Sequence, residues 1–233
     1  MTALHKSRHP FMVDIATPER ASNQPPASVT PAYWARACVE LIKRDRILKK
    51  LIPLFEPVLL HHRRDPFVTL VRSVVGQQIS VKAAHAIWIR IERLCPTLTA
   101  AQFAQCGHDG LLHCGLSKRK TEYILDLAYH FSTGTMQVDA WDALDDESII
   151  ASLMKIRGIG RWTAEMFLIF NLMRPDVLPL DDLGLLRAIS LNYFSGEAVS
   201  RSEAREVAAN WRPWRSVAVW YLWRSLDPIP VNY

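Results

Sequence analysis

The sequence lacks the patterns that mark membrane proteins, β-folds and disulfide-stapled domains. No apolar run approaches the roughly 20 residues that a membrane-spanning helix needs, so no membrane partner is expected. No segment sustains period-2 alternation between turn signals, so strands are not expected and the chain reads as all-α. Cysteine is scarce. Cys38, Cys95, Cys106 and Cys114 are irregularly spaced and form no C-x-x-C pair, which argues against both a zinc site and a disulfide framework. Residues 1–30 mix His, Pro, Ser, Asn and Gln, carry Asp14 and Glu19, and lack an apolar h-region. They read as a mobile tail and not as an export or organellar signal, so a reducing cytosol is expected.

What is present is a helical, basic chain. Its 233 residues have room for one compact domain or two small lobes, and 49% apolar content suffices for a core. A formal charge of +5 and a pI near 9.1 favour a polyanionic partner.

The organising stretch is residues 155–187, beginning K-I-R-G-I-G-R-W-T-A-E-M and ending R-P-D-V-L-P-L-D-D-L-G-L-L-R. Ile149, Ile150, Leu153 and Ile156 give the preceding segment an apolar helical face. Gly158 and Gly160 then break it, and two glycines around one apolar residue let the backbone approach a ligand closely. A second helix starts at once, so its N-terminal N–H groups and positive dipole end lie at the hairpin. With Lys155, Arg157 and Arg161 around it, this is an anion site suited to a nucleic-acid phosphate.

Upstream, Pro31, Trp34, Ala37 and Leu41 begin a helix that Leu48, Leu51 and Ile52 continue, and Pro53 and Pro57 bound a loop. Asp65 and Pro66 start the next, whose buried stripe is Phe67, Leu70, Val71 and Val74. Gly76 ends or bends it, exposing Gln77 and Gln78. Gly115 closes another helix, and Ser117 is an N-cap followed by Lys118, Arg119 and Lys120, three cations where they oppose the helix dipole. That placement suggests DNA phosphates, although a solvated basic cap fits the same residues. Beyond the hairpin, Leu183, Leu186 and Ile189 line one helix, Ala204, Val207, Ala208 and Trp211 a second, and W-R-P-W-R-S-V-A-V-W-Y-L-W the last.

Through G-I-G-R-W-T-A-E, L-P-L-D-D-L and W-R-P-W-R-S, the sequence resembles the helix-hairpin-helix DNA glycosylases, and among them the 3-methyladenine DNA glycosylase II group. The resemblance covers roughly residues 65–226. It implies two helical lobes with a cleft between them: residues 65–173 with the hairpin at about 148–173, and residues 31–64 plus 174–233. It implies that Asp182 is the catalytic carboxylate, with Asp181 as an N-cap or supporting partner. Without the resemblance, both would be ordinary helix caps. It assigns DNA contact to Gly158, Ile159, Gly160, Arg161, Thr163, Lys155, Lys118 and Lys120. The Gln78 position becomes the wedge that fills the gap left by a flipped base, with Gln77 beside it. Trp162, Trp223, Met166, Leu183 and Phe67 fall to the base pocket, Met166 and Leu183 standing where some relatives carry tyrosines.

The same resemblance implies no required cofactor. Some relatives hold an iron–sulfur cluster on four cysteines after the hairpin, but all four here precede it. A sodium or potassium ion on the carbonyls of Ile156 and Ile159 would be carried over from relatives. Where strand-cutting relatives have a Schiff-base lysine, this chain has Trp162, so water should be the nucleophile and no lyase activity is expected. The implied protein is a monomer acting on damaged double-stranded DNA, placed with the nucleoid of a bacterium or in a eukaryotic nucleus. Two other readings are a glycosylase for oxidised, deaminated or mispaired bases, and a non-catalytic module that grips the duplex.

Overall fold

The computed structural model describes residues 30–55 and 65–226. The tail expected over residues 1–30 falls almost wholly outside these, as does Pro57. The elements in order are α1 (Trp34–Arg44), α2 (Leu48–Leu51), α3 (Pro66–Gly76), α4 (Val81–Leu94), α5 (Ala100–His113), α6 (Lys118–Ser132), α7 (Asp146–Leu153), α8 (Arg161–Phe170), α9 (Leu183–Tyr193), α10 (Arg201–Ala209) and α11 (Arg215–Leu226). Two short 3₁₀ turns, Ile52–Leu54 and Val138–Ala143, complete the list. The described residues contain no strand, so the all-α reading holds.

Helix starts follow short polar side chains that satisfy otherwise orphaned N–H groups. Asp65 accepts from the Val68 N–H, Ser117 from Lys120, and Asp145 from Ser148. At α10, Ser200 and Glu203 form a reciprocal capping box. Gly76 is the last residue of α3, and Gly115 and Gly134, both at positive φ, follow α5 and α6.

The described residues fall into two compact units. One is Asp65–Ala164, and the other comprises the described residues within Glu19–Arg64 and Glu165–Val231. The division lies within α8, along an unbroken helix, where the resemblance suggested a boundary near Met173. In the first unit α6 packs on α5 and α3. Phe67 meets Phe103 edge-on at 5.2 Å and Phe131 at 5.4 Å between ring centroids.

In the second unit α11 packs on α9, α2 and α1. Its polar anchor is Asp45, a buried carboxylate that accepts N–H bonds from Ile47 and Leu48, the Tyr193 hydroxyl at 2.8 Å and the Trp211 indole at 3.0 Å. A buried charge is tolerated when its lone pairs are satisfied in this way. The anchor also ties an early segment to residues 148 and 166 positions further along.

Candidate active site and nucleic-acid interface

Each unit carries candidate residues of its own. In the first unit, α7 ends at Leu153, and the chain turns through residues 154–160 into α8. Ile156 and Ile159 are buried and pin the turn, and the Ile156 carbonyl accepts the Ile159 N–H at 3.2 Å. The two glycines differ. Gly158 has φ +85°, and a Cβ there would lie 2.2 Å from the Tyr123 ring, which packs directly against the hairpin. Its carbonyl accepts the Gln77 Nε2 at 3.0 Å. Gly160 is exposed, and a Cβ would meet nothing within 4 Å. Gly158 is therefore required by the fold, whereas the open face belongs to Gly160.

The basic frame of the hairpin is less free than the sequence suggested. Arg161 forms a two-point pair with Glu147, one bond of 3.0 Å, and this hydrogen bonding draws the Glu147 carboxyl below its usual range. Arg157 pairs with Glu122 at 3.0 Å, and its own N–H donates to Asp126 at 2.9 Å. Lys155 and Lys118 are exposed, and Thr163 is buried.

Lys120 needs correction as a DNA contact. Its Nζ donates to the carbonyls of Val75 and Gln77, each at 2.7 Å. The ammonium thus sits on the C-terminal carbonyls of α3, where a cation complements the helix dipole. Neither partner is near it in sequence, so spacing gave no cue. Gln78 follows with φ +55° and is exposed, the kind of sparsely populated backbone that recurs at functional turns.

In the second unit Asp182 is 2% exposed and is the N-cap of α9, so the cap expected of Asp181 belongs to its neighbour. Asp182 Oδ1 accepts the Leu185 N–H at 2.6 Å and the Trp223 Nε1–H at 2.9 Å. Asp181 instead points outward and pairs with Arg201 at 2.8 Å. Two N–H donors converging on one oxygen suit an ionised carboxylate, which can only accept. Buried from water, such an anion projects a strong field.

The pocket expectations divide. Trp223 is buried, with its indole edge on Asp182 and its ring stacked on Phe170 at 5.8 Å, so it holds the carboxylate where the sequence had it facing a base. Phe67 is 3% exposed among Phe103 and Phe131, a core ring of the first unit and not a pocket wall. Its place in the apolar stripe of α3 already pointed there. Met166 is buried, Trp162 half-buried, and Leu183, next to Asp182, is 80% exposed. Phe170, Tyr123 and Glu147 went unrecognised, since each acts through tertiary contact without a motif of its own.

Among the described residues no group of His, Cys, Asp or Glu could hold a metal ion, and no helix is long and apolar enough to cross a membrane.

Comparison with known proteins matches both the sequence and the fold of the chain. The model of the HhH-GPD superfamily of base excision DNA repair proteins matches residues 71–214. DNA-3-methyladenine glycosylase 1 of Schizosaccharomyces pombe is 30% identical over 182 residues, covering 76% of this chain and 80% of its own length. A solved structure of the S. pombe 3-methyladenine DNA glycosylase in complex with abasic DNA superposes with a TM-score of 0.72 at 30% identity, over 82% of this chain and 96% of that one. A DNA-3-methyladenine glycosidase from Bacillus halodurans gives 0.76 at 33%, over 88% and 94%.

Proposed function

Because the chain belongs to the HhH-GPD superfamily of base excision DNA repair proteins, we propose that it is a monofunctional DNA N-glycosylase. It excises alkylated purines of the 3-methyladenine and 7-methylguanine type from duplex DNA. The S. pombe and B. halodurans proteins described above, at 30% and 33% identity over most of this chain, are named as 3-methyladenine DNA glycosylases or glycosidases, which supports this reading.

The observation that carries the chemistry is the buried Asp182, fixed by the α9 N-terminus and by Trp223. As the bond from C1′ to the purine nitrogen breaks, its electron pair leaves with the base and positive charge develops on the sugar. A fixed carboxylate stabilises that charge without reorganising. Water then adds to C1′ and gives up its proton, for which Asp182 is the base. An alkylated purine carries its own positive charge, so it leaves with little acid assistance and stacks favourably on an indole such as Trp162.

The hairpin supplies the grip. A duplex phosphate fits the backbone at Gly160 and the start of α8, with Lys155 and Lys118 adding positive charge. Gln78 is the wedge that takes the place of the extruded nucleotide. A monovalent cation on the carbonyls of Ile156 and Ile159 belongs to the same reading. A carbonyl has two lone pairs, so Ile156 can accept the Ile159 N–H and still face a cation. Trp162 offers no amine for a Schiff base, so strand cleavage is not part of the reaction. The protein works where the DNA is, in the nucleoid or the nucleus.

Release of free 3-methyladenine or 7-methylguanine from methylated duplex DNA, with the strand left unbroken at the abasic site, is the expected outcome. Failure to release either base contradicts the reading.

A further inference from the structure

We propose that Lys120 is a positioning residue for the base-extruding turn, which it clamps to the end of α3 while Gln77 ties the same turn to the DNA-gripping hairpin. The inference rests on the wedge role of Gln78. Three tethers converge on the residues that precede Gln78. Lys120 Nζ bonds the carbonyls of both Val75 and Gln77 at 2.7 Å, and Gln77 Nε2 bonds the Gly158 carbonyl at 3.0 Å.

The last carbonyls of a helix have no partner within it, and an ammonium there makes charge-assisted bonds along the favourable direction of the dipole. Burial lowers the Lys120 pKa, as expected of a cation that has exchanged water for carbonyls. Gln78 stands next, with φ +55°, a sparsely populated conformation for a non-glycine residue that persists only when its surroundings hold it. Its side chain is exposed while its backbone is fixed on the N-terminal side.

That combination is what a wedge requires. A loose turn would yield when pushed into a stacked duplex, whereas a braced one transmits the load to α3, α6 and the hairpin. Lys120 lies in the same first turn of α6 as Lys118, yet the two do different work: Lys118 is exposed, and Lys120 is committed to protein carbonyls.

The test compares wild type with Lys120→Gln, Lys120→Arg and Gln77→Ala on 7-methylguanine placed opposite cytosine, opposite adenine, and in single-stranded DNA. Under single-turnover conditions the Gln and Ala variants should slow excision from the cytosine pair about tenfold and stay within about twofold of wild type on the single strand, with Lys120→Arg in between. The dependence of log K on log[salt] for duplex binding should keep its slope, because no phosphate contact is lost. Hydrogen exchange at the amides of residues 76–79 should accelerate in Lys120→Gln.

Equal rate losses on all three substrates overturn the proposal, as does a slope shallower by about one phosphate contact. Should the wild type release no base, the glycosylase reading fails, and slope and exchange judge the clamp. An unchanged slope with faster exchange supports it, and unchanged exchange overturns it. Gln77→Ala carries the test if Lys120→Gln does not fold.

Discussion

Trp223 donates its indole N–H to Asp182 Oδ1 at 2.9 Å across 41 residues of sequence, so the last helix holds the carboxylate that opens α9. Phe170 stacks on the same indole and fixes its tilt. Trp223→Phe keeps the ring and removes the donor. A hydrogen bond to a charged group contributes about 1.5–3 kcal/mol, so single-turnover base release should fall about tenfold or more. DNA affinity should be unchanged. A wild-type rate would detach the indole from the chemistry.

The two hairpin glycines should separate in opposite directions. Gly158→Ala drives a Cβ into Tyr123 at positive φ, and should cost about 1–3 kcal/mol and lower the Tm by several degrees. Gly160→Ala meets open space, so the Tm should stay constant while duplex affinity falls. Thermal melts beside a salt series of DNA titrations read both. Unchanged affinity in Gly160→Ala would remove that face from the phosphate contact.

Glu147 holds Arg161 by two hydrogen bonds and so restrains one cation of the hairpin. Glu147→Gln loosens that pair. Duplex binding at low salt should tighten, and the slope against log[salt] should steepen by about one phosphate contact. Weaker binding would mean that the ion pair shapes the hairpin and that Arg161 does not reach DNA.

Phe67 is a test of core against pocket. Phe67→Ala should destabilise the fold by about 3–5 kcal/mol, as for a fully packed ring. The ratio of 3-methyladenine to 7-methylguanine release should be unaltered. A shift in that ratio without loss of stability would restore the ring to the pocket.

Much of this was legible in local sequence. Asp65–Pro66 and Ser117 announce helix starts because a cap satisfies N–H groups only two or three residues away. Gly158 and Gly160 mark the hairpin in the sequence, Gly158 because the turn takes positive φ there and Gly160 because its face is left open. Asp182 was singled out only through the resemblance that the L-P-L-D-D-L motif carries. What stayed hidden is long-range. Lys120 looked like one more surface cation beside Lys118, since the carbonyls it bonds lie 43 and 45 residues away. Asp181 and Asp182 look alike in sequence, and only the course of the chain turns one inward and the other towards Arg201. Trp223 was marked as functional for a plausible reason, an aromatic face, but its N–H edge carries the contact.

The most direct test is single-turnover release of methylated purines from duplex DNA by wild type and by Asp182→Asn. Asparagine retains an oxygen for the Leu185 and Trp223 N–H groups, so the cap and the fold should survive. The expected result is robust release by wild type and a loss of at least about 100-fold in the variant, with duplex affinity and Tm preserved. Release by Asp182→Asn at the wild-type rate would contradict the assignment of this carboxylate, and with it the mechanism.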